Sequence, residues 1–266
     1  MIYFFGDVHG KFTQVIQTVL DHRPEAIVLL GDIEAQQPLE HELKPILERT
    51  DIWWIPGNHD TDNQKNHDHL FCSALAQRNL HGRVVEIAGV RVAGLGGVFR
   101  GEIWYPDSQN APVHFNSYAD YQKHSEQGRI QAAAQQRTVR RGEMSEAKAQ
   151  GKLLTHRSTI FYAEWLDLQA QRADILVTHE APSCHPKGFK VLDVLARALQ
   201  VKTTFHGHQH DRLDYQPFWE KLGFQAHGVG LRGVTDQYGE LVREGEQDVA
   251  RSRSRSRSRQ LKESGS

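Results

Sequence analysis

The chain places aspartate, asparagine and histidine directly after short apolar runs. The run IYFF (2–5) leads into Asp7 and His9, and the run AIVLL (26–30) leads into Asp32. Later apolar runs end in the same residue types, namely Asn58, His59, Asp60, His179, His206 and His208. Carboxylates and neutral imidazoles are typical ligands of Mn, Fe, Zn and related divalent metals. This repeated pattern indicates a metal site rather than a series of unrelated helix caps.

The number of these groups indicates more than one ion. The candidates include two aspartates, one asparagine and five histidines, namely Asp7, Asp32, Asn58, His9, His59, His179, His206 and His208. Eight groups are too many for a single ion. Two ions that share a bridging carboxylate would use seven of them and leave one for acid–base chemistry.

Short strands alternating with helices must position these residues. The apolar runs fall at residues 2–5, 26–30, 52–55, 83–87, 90–95, 174–178 and 202–206. Helical spacing appears in FTQVIQTVL (12–20) and FKVLDVLARAL (189–199). The sequence around Ala88-Gly89 indicates a hairpin. We therefore expect an α/β fold of layered mixed sheets, or a sandwich, with helices outside. The candidate ligands then lie at the carboxyl ends of the strands, where such sheets place their sites.

The segment 100–157 interrupts this alternation. It is polar and rich in Gln, Ala, Arg and Lys. It is long for a simple loop, so we expect a helical insertion. Two interpretations stay open: a lid over the strand ends, or a surface excursion.

The order of the motifs GDVHG, GD, GNHD, TH and GHQH resembles the calcineurin-like metallophosphoesterase superfamily. The corresponding family motifs read D-x-H, G-D, G-N-H-[DE], a single His and G-H-x-H. The match extends from Asp7 to His208, and GDVHG is most similar to the Ser/Thr protein phosphatase and diadenosine-tetraphosphatase branch. The resemblance implies a metallophosphoesterase-type fold and hydrolysis of a phosphate ester.

The resemblance also implies two divalent metal ions per chain, expected to be Mn, with Fe, Zn or another divalent metal as alternatives. It assigns Asp7, His9 and His208 to the first metal, and Asn58, His179 and His206 to the second. Asp32 would bridge the two. A metal-bound hydroxide would attack phosphorus, and His59 would assist the leaving group.

The chain departs from the protein phosphatase branch after the second motif. That branch reads G-D-x-V-D-R-G, whereas residues 31–37 read GDIEAQQ. Ala35 replaces the aspartate that would orient His59, and Gln36 replaces a phosphate-binding arginine. We expect Glu34 or Asp60 to orient His59, so that Asp60 joins it as a catalytic residue.

The loss of that arginine requires another group to bind phosphate. Guanidinium matches phosphate in a bidentate manner, and the candidates are Arg100, Arg140, Arg141 and Arg232. The histidines expected to be solvated instead are His67, His69, His185 and His210.

Three functional interpretations follow from these features. The main one is a metal-dependent phosphoesterase, with monoester, diester and nucleotide substrates all left open. The first alternative is a non-catalytic protein that binds a phosphorylated ligand. The second is an RNA-associated protein that acts through the arginine–serine tail.

That tail accounts for the near-neutral net charge of −1. Residues 251–266 hold six basic residues and one acidic residue, and the rest of the chain holds 26 basic and 32 acidic residues. The body therefore has no general basic field for nucleic acid, which leaves the tail as the one segment expected to bind it. We expect a single domain over 1–250 and a disordered tail over 251–266.

The remaining features favour a cytoplasmic protein. No apolar run approaches the ~20 residues that a membrane helix needs. The first expected strand begins at Ile2, which leaves no room for a secretory signal. Cys72 and Cys184 are the only cysteines, so no disulfide framework is expected.

Overall fold

The computed structural model describes residues 1–107, 111–135 and 150–248, without side chains for 128–135. The strands are β1 (Ile2–Phe5), β2 (Ala26–Leu29), β3 (Asp51–Trp54), β4 (Arg83–Ile87), β5 (Val90–Leu95), β6 (Ile175–Thr178), β7 (Thr203–His206), β8 (Gln225–Gly228), β9 (Val234–Asp236) and β10 (Leu241–Arg243). The helices are α1 (Thr13–His22), α2 (Leu39–Glu42), α3 (Gln64–Phe71), α4 (Tyr118–Gln135), α5 (Tyr162–Gln169), α6 (Lys190–Leu199) and α7 (Trp219–Leu222). Short 3₁₀ helices include His59–Thr61 and His156–Ser158.

The first sheet has the strand order β10-β9-β1-β2-β3. Strands β1, β2 and β3 are parallel, with Ile2 paired to Ala26 and Ala26 paired to Asp51. Strands β9 and β10 add an antiparallel edge beside β1. Every residue of β1 and β2 is buried, because both faces of this sheet are covered.

The second sheet has the order β4-β5-β6-β7-β8. Strands β5 to β8 are parallel, and β4 pairs antiparallel with β5. The turn between β4 and β5 has φ of +47° at Ala88 and +75° at Gly89. Two consecutive residues with positive φ are typical of a two-residue hairpin, so the predicted hairpin is confirmed.

The two sheets pack face to face with helices on their outer sides. The rings of Phe4 in β1 and Phe205 in β7 stack with centroids 4.0 Å apart in the core between the sheets. Helix α1 covers the outer face of the first sheet through Val15 and Val19. Helix α6 covers the second sheet with its own apolar side. The predicted layered sandwich flanked by helices is confirmed.

The insertion is partly helical in the residues that the structure describes, and residues 100–107 and 111–117 are turns, loops and isolated bridges. The helical parts are α4 and residues 150–155. The ring of Tyr121 lies 4.4 Å from the ring of His156, and the guanidinium of Arg157 lies 4.1 Å from the centre of the Tyr118 ring. Both contacts lie within the insertion, whereas Trp104 and Tyr121 belong to the apolar cluster on the outer side of the second sheet and attach the insertion to it. In the described residues, no helix is long and apolar enough to cross a membrane.

Candidate metal centre

The loops that follow five parallel strands meet at one edge of the sandwich. Loops after β1, β2 and β3 come from the first sheet, and loops after β6 and β7 come from the second. Asp32 follows β2 and His179 follows β6, yet Oδ2 of Asp32 lies 3.4 Å from Nε2 of His179. The carboxyl ends of the parallel strands of both sheets therefore form one site.

Two glycines allow the loops of the two sheets to approach this closely. A Cβ on Gly57 would lie 2.2 Å from the backbone nitrogen of Asp32. A Cβ on Gly31, where φ is +94°, would lie 2.4 Å from Nδ1 of His179. Any larger residue would push Asp32 and His179 apart.

Several residues of the site have a left-handed backbone conformation. The residues with positive φ include Asp7, His9, Asp32, His208 and His210. This conformation costs about 1–3 kcal/mol for a residue other than glycine, and it persists only where surrounding structure imposes it. Such strain is concentrated in functional sites.

A first group of ligand atoms comprises one atom each from Asp7, His9, Asp32 and His210, all within 4.8 Å of one another. Nε2 of His9 lies 3.2 Å from Nε2 of His210. Oδ1 of Asp7 accepts a hydrogen bond of 3.0 Å from the backbone N–H of His208. Oδ2 of Asp7 is buried and has no hydrogen-bond partner in the described residues.

A second group comprises atoms of Asp32, His179 and His208, again within 4.8 Å. Nδ1 of His179 lies 2.7 Å from the carbonyl oxygen of Leu30 and donates to it, so its Nε2 faces the site. Oδ1 of Asn58 lies 3.3 Å from that Nε2. Asp32 belongs to both groups.

The contacts of these residues fit the binding of divalent metal ions. A buried carboxylate oxygen without a hydrogen bond, as in Asp7, is costly unless a cation is bound near it. His9 and His179 use Nδ1 for Glu34 and for the Leu30 carbonyl, which leaves both Nε2 atoms for a metal. Metal-binding histidines usually have such a partner on the second ring nitrogen.

The charges of the site favour a cation as well. Burial is the main reason why the pKa of Asp7 is raised to about 7, with His179 opposing and Asp32 adding to the effect. Burial, together with the charge of Asp32, also raises the pKa of Asp60 to about 7. Burial would lower the pKa of His179, but Asp32 and Asp7 raise it to about 10. Three buried carboxyl groups thus compete for positive charge.

The structure distributes the predicted ligands differently from the sequence interpretation. His208 lies in the group with His179, not with Asp7 and His9 as expected. Within the described residues, neither group includes His206, and His210 takes part instead. The signal for His210 was in the sequence, because the G-H-x-H motif extends from Gly207 to His210.

His206 has other contacts. It is the last residue of β7, and side chains alternate along a strand. Phe205 therefore points into the core between the sheets, while Nε2 of His206 lies 3.2 Å from the hydroxyl of Tyr215 on the opposite side. Burial lowers the pKa of His206 to about 3, so the ring is neutral.

The partner of His59 also differs from expectation. Nδ1 of His59 lies 2.6 Å from Oδ2 of Asp62, three residues later along the 3₁₀ turn. Burial lowers the pKa of His59, but Asp62 and Asp32 outweigh it, and the net pKa is raised. Glu34 is bound to His9 instead. Asp62 was the residue that sequence reasoning missed.

Asp60 lies beneath the site, fully buried. Its carboxylate accepts hydrogen bonds of 2.8 Å from the backbone N–H groups of Ile33, Glu34 and Gly57. Contrary to expectation, the carboxylate of Asp60 therefore does not orient His59. It connects the loop after β2 to the loop after β3 instead.

The predicted phosphate-binding arginines differ in their positions and contacts. Arg100 lines a cavity of about 590 Å³, here called the catalytic cavity, together with Asn58, His208 and His210. Arg232 pairs with Glu246 at 2.6 Å and donates to the carbonyl of Val8, so its guanidinium is engaged within the protein. Arg140 and Arg141 lie outside the described residues.

Arg100 is held by the wall of this cavity. Its Nε donates to Oγ1 of Thr159 at 3.0 Å, and its Nη2 lies 3.4 Å from Oγ of Ser158. Burial lowers the pKa of its guanidinium, and the carboxylates of Asp62 and Glu180 oppose that effect. This guanidinium lines the same cavity as the candidate metal ligands Asn58, His208 and His210.

Comparison with known proteins agrees with this geometry. A model of the family described as calcineurin-like phosphoesterase matches residues 1–212. An uncharacterized protein of Haemophilus influenzae is 36% identical over 245 residues, covering 91% of this chain and 96% of that protein. The crystal structure of TT1561 of Thermus thermophilus is similar with a TM-score of 0.52 at 14% identity, covering 92% of this chain and 97% of that chain. The structural likeness bears on the fold alone.

Proposed function

The chain belongs to the calcineurin-like phosphoesterase family, and from that premise we propose that it is a binuclear metal-dependent phosphoesterase. One observation carries the proposal: the carboxylate of Asp32 belongs to both groups of ligand atoms. A carboxylate has two oxygens and a negative charge that offsets two neighbouring dications. It is therefore suited to bridge them.

We assign one metal to Asp7, His9, Asp32 and His210, and the other to Asp32, Asn58, His179 and His208. Manganese suits this mixture of oxygen and imidazole ligands, as do iron and zinc. Divalent ions held there supply Lewis acidity, which offsets charge on phosphoryl oxygens and lowers the pKa of water.

His59 is proposed to donate a proton to the leaving oxygen. Its ring is half-exposed at the site, and Asp62 holds Nδ1 so that Nε2 is free to contact substrate. The backbone N–H of His59 donates to Oδ1 of Asp32 at 2.9 Å, which fixes the histidine beside the bridging carboxylate. An imidazole placed in this way acts as a general acid near neutral pH.

Arg100 is proposed to bind a phosphoryl oxygen in the catalytic cavity. The chain has Gln36 where the protein phosphatase branch has arginine, and Nε2 of Gln36 donates to the carbonyl of Glu34 at 2.9 Å. Arg100 comes from a different part of the fold and lines the same cavity as the metal ligands. We propose that it performs the orienting role that Gln36 lacks.

The decisive experiment combines metal analysis with a substrate panel. The purified chain should bind about two divalent ions, and EDTA should abolish hydrolysis of phosphomonoesters, diesters or nucleotides. Added Mn²⁺, Fe²⁺ or Zn²⁺ should restore it. A chain that binds no divalent ion and whose activity resists EDTA would contradict the proposal.

The other parts of the interpretation remain proposals. The His59–Asp62 pair supports catalysis over a binding-only role, because a protein that only binds phosphate needs no oriented proton donor. We propose one domain over 1–250, with an insertion over 100–157 from which Arg100 and Tyr105 line the catalytic cavity. Nucleic acid is proposed to bind, if at all, through the tail. A cytoplasmic location is proposed because Cys72 and Cys184 are free thiols.

A further inference from the structure

A second cavity adjoins the catalytic cavity. Its volume is about 1080 Å³. It shares Tyr105, Lys187 and Phe189 with the catalytic cavity, so the two are contiguous. We call it the outer cavity and define it by Tyr105, Lys187, Phe189, Lys190, Phe218 and Lys221. A substrate with its phosphoryl group at the metal ligands would extend into this space.

The lining of the outer cavity is positively charged. Its four basic side chains outnumber two carboxylates, Asp107 and Asp193. Asp193 is already engaged, because it accepts hydrogen bonds from the backbone N–H of Ser183 at 2.9 Å and from its hydroxyl at 2.5 Å. The basic residues are Lys187, Lys190, Arg197 and Lys221.

The three lysines are available to a ligand. In the part of the chain that the structure describes, the lysine and arginine side chains in ion pairs are Arg78, Arg91, Lys152 and Arg232. The outer-cavity lysines are not among them, and all three are exposed. Exposed ammonium groups around a concave surface attract anions.

Aromatic rings form another part of the wall. Tyr105 is 45% exposed and Phe218 is 44% exposed, although both line a cavity. The Tyr105 ring lies edge-on to the Phe189 ring at 5.4 Å, which leaves a Tyr105 face for a ligand. A planar ring bound here would bury apolar surface that the protein leaves open.

We propose that the outer cavity binds the leaving group of the substrate, and that this leaving group carries an aromatic ring and a second phosphate. The inference rests on the proposed function. Hydrolysis adds the hydroxyl of water to phosphorus and breaks the ester P–O bond. The leaving oxygen takes up a proton, so the products are inorganic phosphate and an alcohol that keeps the ring and the second phosphate. The cavity is large enough for a ligand of this size.

Three probes separate the parts of this proposal. Glycerol 2-phosphate is a small ester without a ring, AMP adds a purine, and adenosine 3′,5′-bisphosphate adds a purine and a second phosphate. The wild-type kcat/KM should be about tenfold higher for the bisphosphate than for AMP, which is the effect of one good charge contact.

Variants then locate the contact. Lys190→Ala and Lys221→Ala should each lower the kcat/KM ratio of bisphosphate to glycerol 2-phosphate by about 3- to 10-fold. Phe218→Ala should lower the kcat/KM of both nucleotides relative to that of glycerol 2-phosphate. Lys44→Ala, an exposed lysine outside the cavity, is the matched control and should change no ratio.

The outcomes distinguish this inference from the proposed function. Equal kcat/KM for AMP and the bisphosphate, or ratios unchanged in both lysine variants, would overturn the outer-cavity proposal while hydrolysis itself stands. If neither these probes nor the diesters of the substrate panel are hydrolysed, the proposed function fails. Calorimetry can then measure the binding of AMP and the bisphosphate, with divalent metal and in EDTA. This measurement still tests the outer-cavity proposal. Binding of the bisphosphate that is no tighter than AMP, or is unaffected in Lys190→Ala, would refute it.

Discussion

Nε2 of His9 and Nε2 of His210 lie 3.2 Å apart, although the two residues are 201 positions apart in sequence. His9 uses its other ring nitrogen for Glu34. Burial and the neighbouring His9 lower the pKa of His210, which favours the neutral form of its ring. Two imidazole nitrogens facing each other beside Asp7 and Asp32 form a natural site for a cation.

This geometry predicts that His210, rather than His206, is a metal ligand. His210→Ala should reduce bound metal from about two ions per chain toward one and lower turnover by about 100-fold or more, because a ligand is lost. Plasma emission spectrometry of the purified protein measures the metal. His41→Ala, which changes an exposed histidine outside both ligand groups, is the control.

The companion variant is His206→Gln. It should lower stability, because a buried hydrogen bond to Tyr215 is disturbed, while the metal content stays near two. The assignment would be reversed if His206→Gln lost metal and His210→Ala kept it.

Replacing Asp32 should be the most damaging change of a ligand. Asp32→Ala removes the proposed bridge and also the acceptor of the His59 backbone N–H. We expect kcat to fall by at least about 1,000-fold, comparable to losing a preorganised electrostatic group at a transition state. Asp32→Asn, which keeps the shape, should also lose metal. Retention of two ions in both variants would exclude a bridging role.

Removing the His59 side chain should affect substrates unequally. His59→Asn should lower kcat by about 100- to 10,000-fold for an alkyl ester, whose alkoxide needs a proton to leave. A nitrophenyl ester should be comparatively spared, because its phenolate leaves without one. Asp62→Asn should show the same pattern more weakly. Equal losses of kcat on both esters would instead indicate that His59 acts through its position or its charge.

Arg100 should affect substrate binding without affecting metal. Arg100→Ala should raise KM about tenfold or lower turnover on the preferred substrate, and Arg100→Lys should recover only part of that loss. The paired variant Arg140→Ala/Arg141→Ala tests the insertion in the same assay. Metal content should stay unchanged in each. If all of them behave like the wild type, residues 100–157 are better regarded as a surface excursion.

Deletion of residues 251–266 should leave hydrolysis of small substrates intact. The segment lies beyond every motif, and its composition is typical of an unfolded chain. Any binding to RNA should weaken, and its salt dependence should become shallower, since five arginines are removed. Filter binding over a range of salt concentrations measures this. An unfolded or inactive truncation would show that the tail belongs to the domain.

The sequence was sufficient for the frame of the fold. The seven apolar runs correspond to β1 through β7, and the two helical patterns correspond to α1 and α6. Buried strands and amphipathic helices leave a clear pattern because burial acts on every residue of the element. Strands β8, β9 and β10 were not predicted. Strands β8 (QAHG) and β9 (VTD) contain polar residues and so form no continuous apolar run. Strand β10 lies at an edge where its residues are partly or fully exposed.

The sequence also indicated the chemistry proposed for the site, because candidate ligands of the expected types and order directly follow the strands. Which of these side chains come into contact depends on the tertiary structure. Left-handed backbone at His208 and His210 turns both rings toward ligands that other loops supply. Strand alternation turns His206 away, and Glu246 engages Arg232. The G-H-x-H motif marked His210, but the other choices depend on loop dihedral angles and on contacts between distant segments.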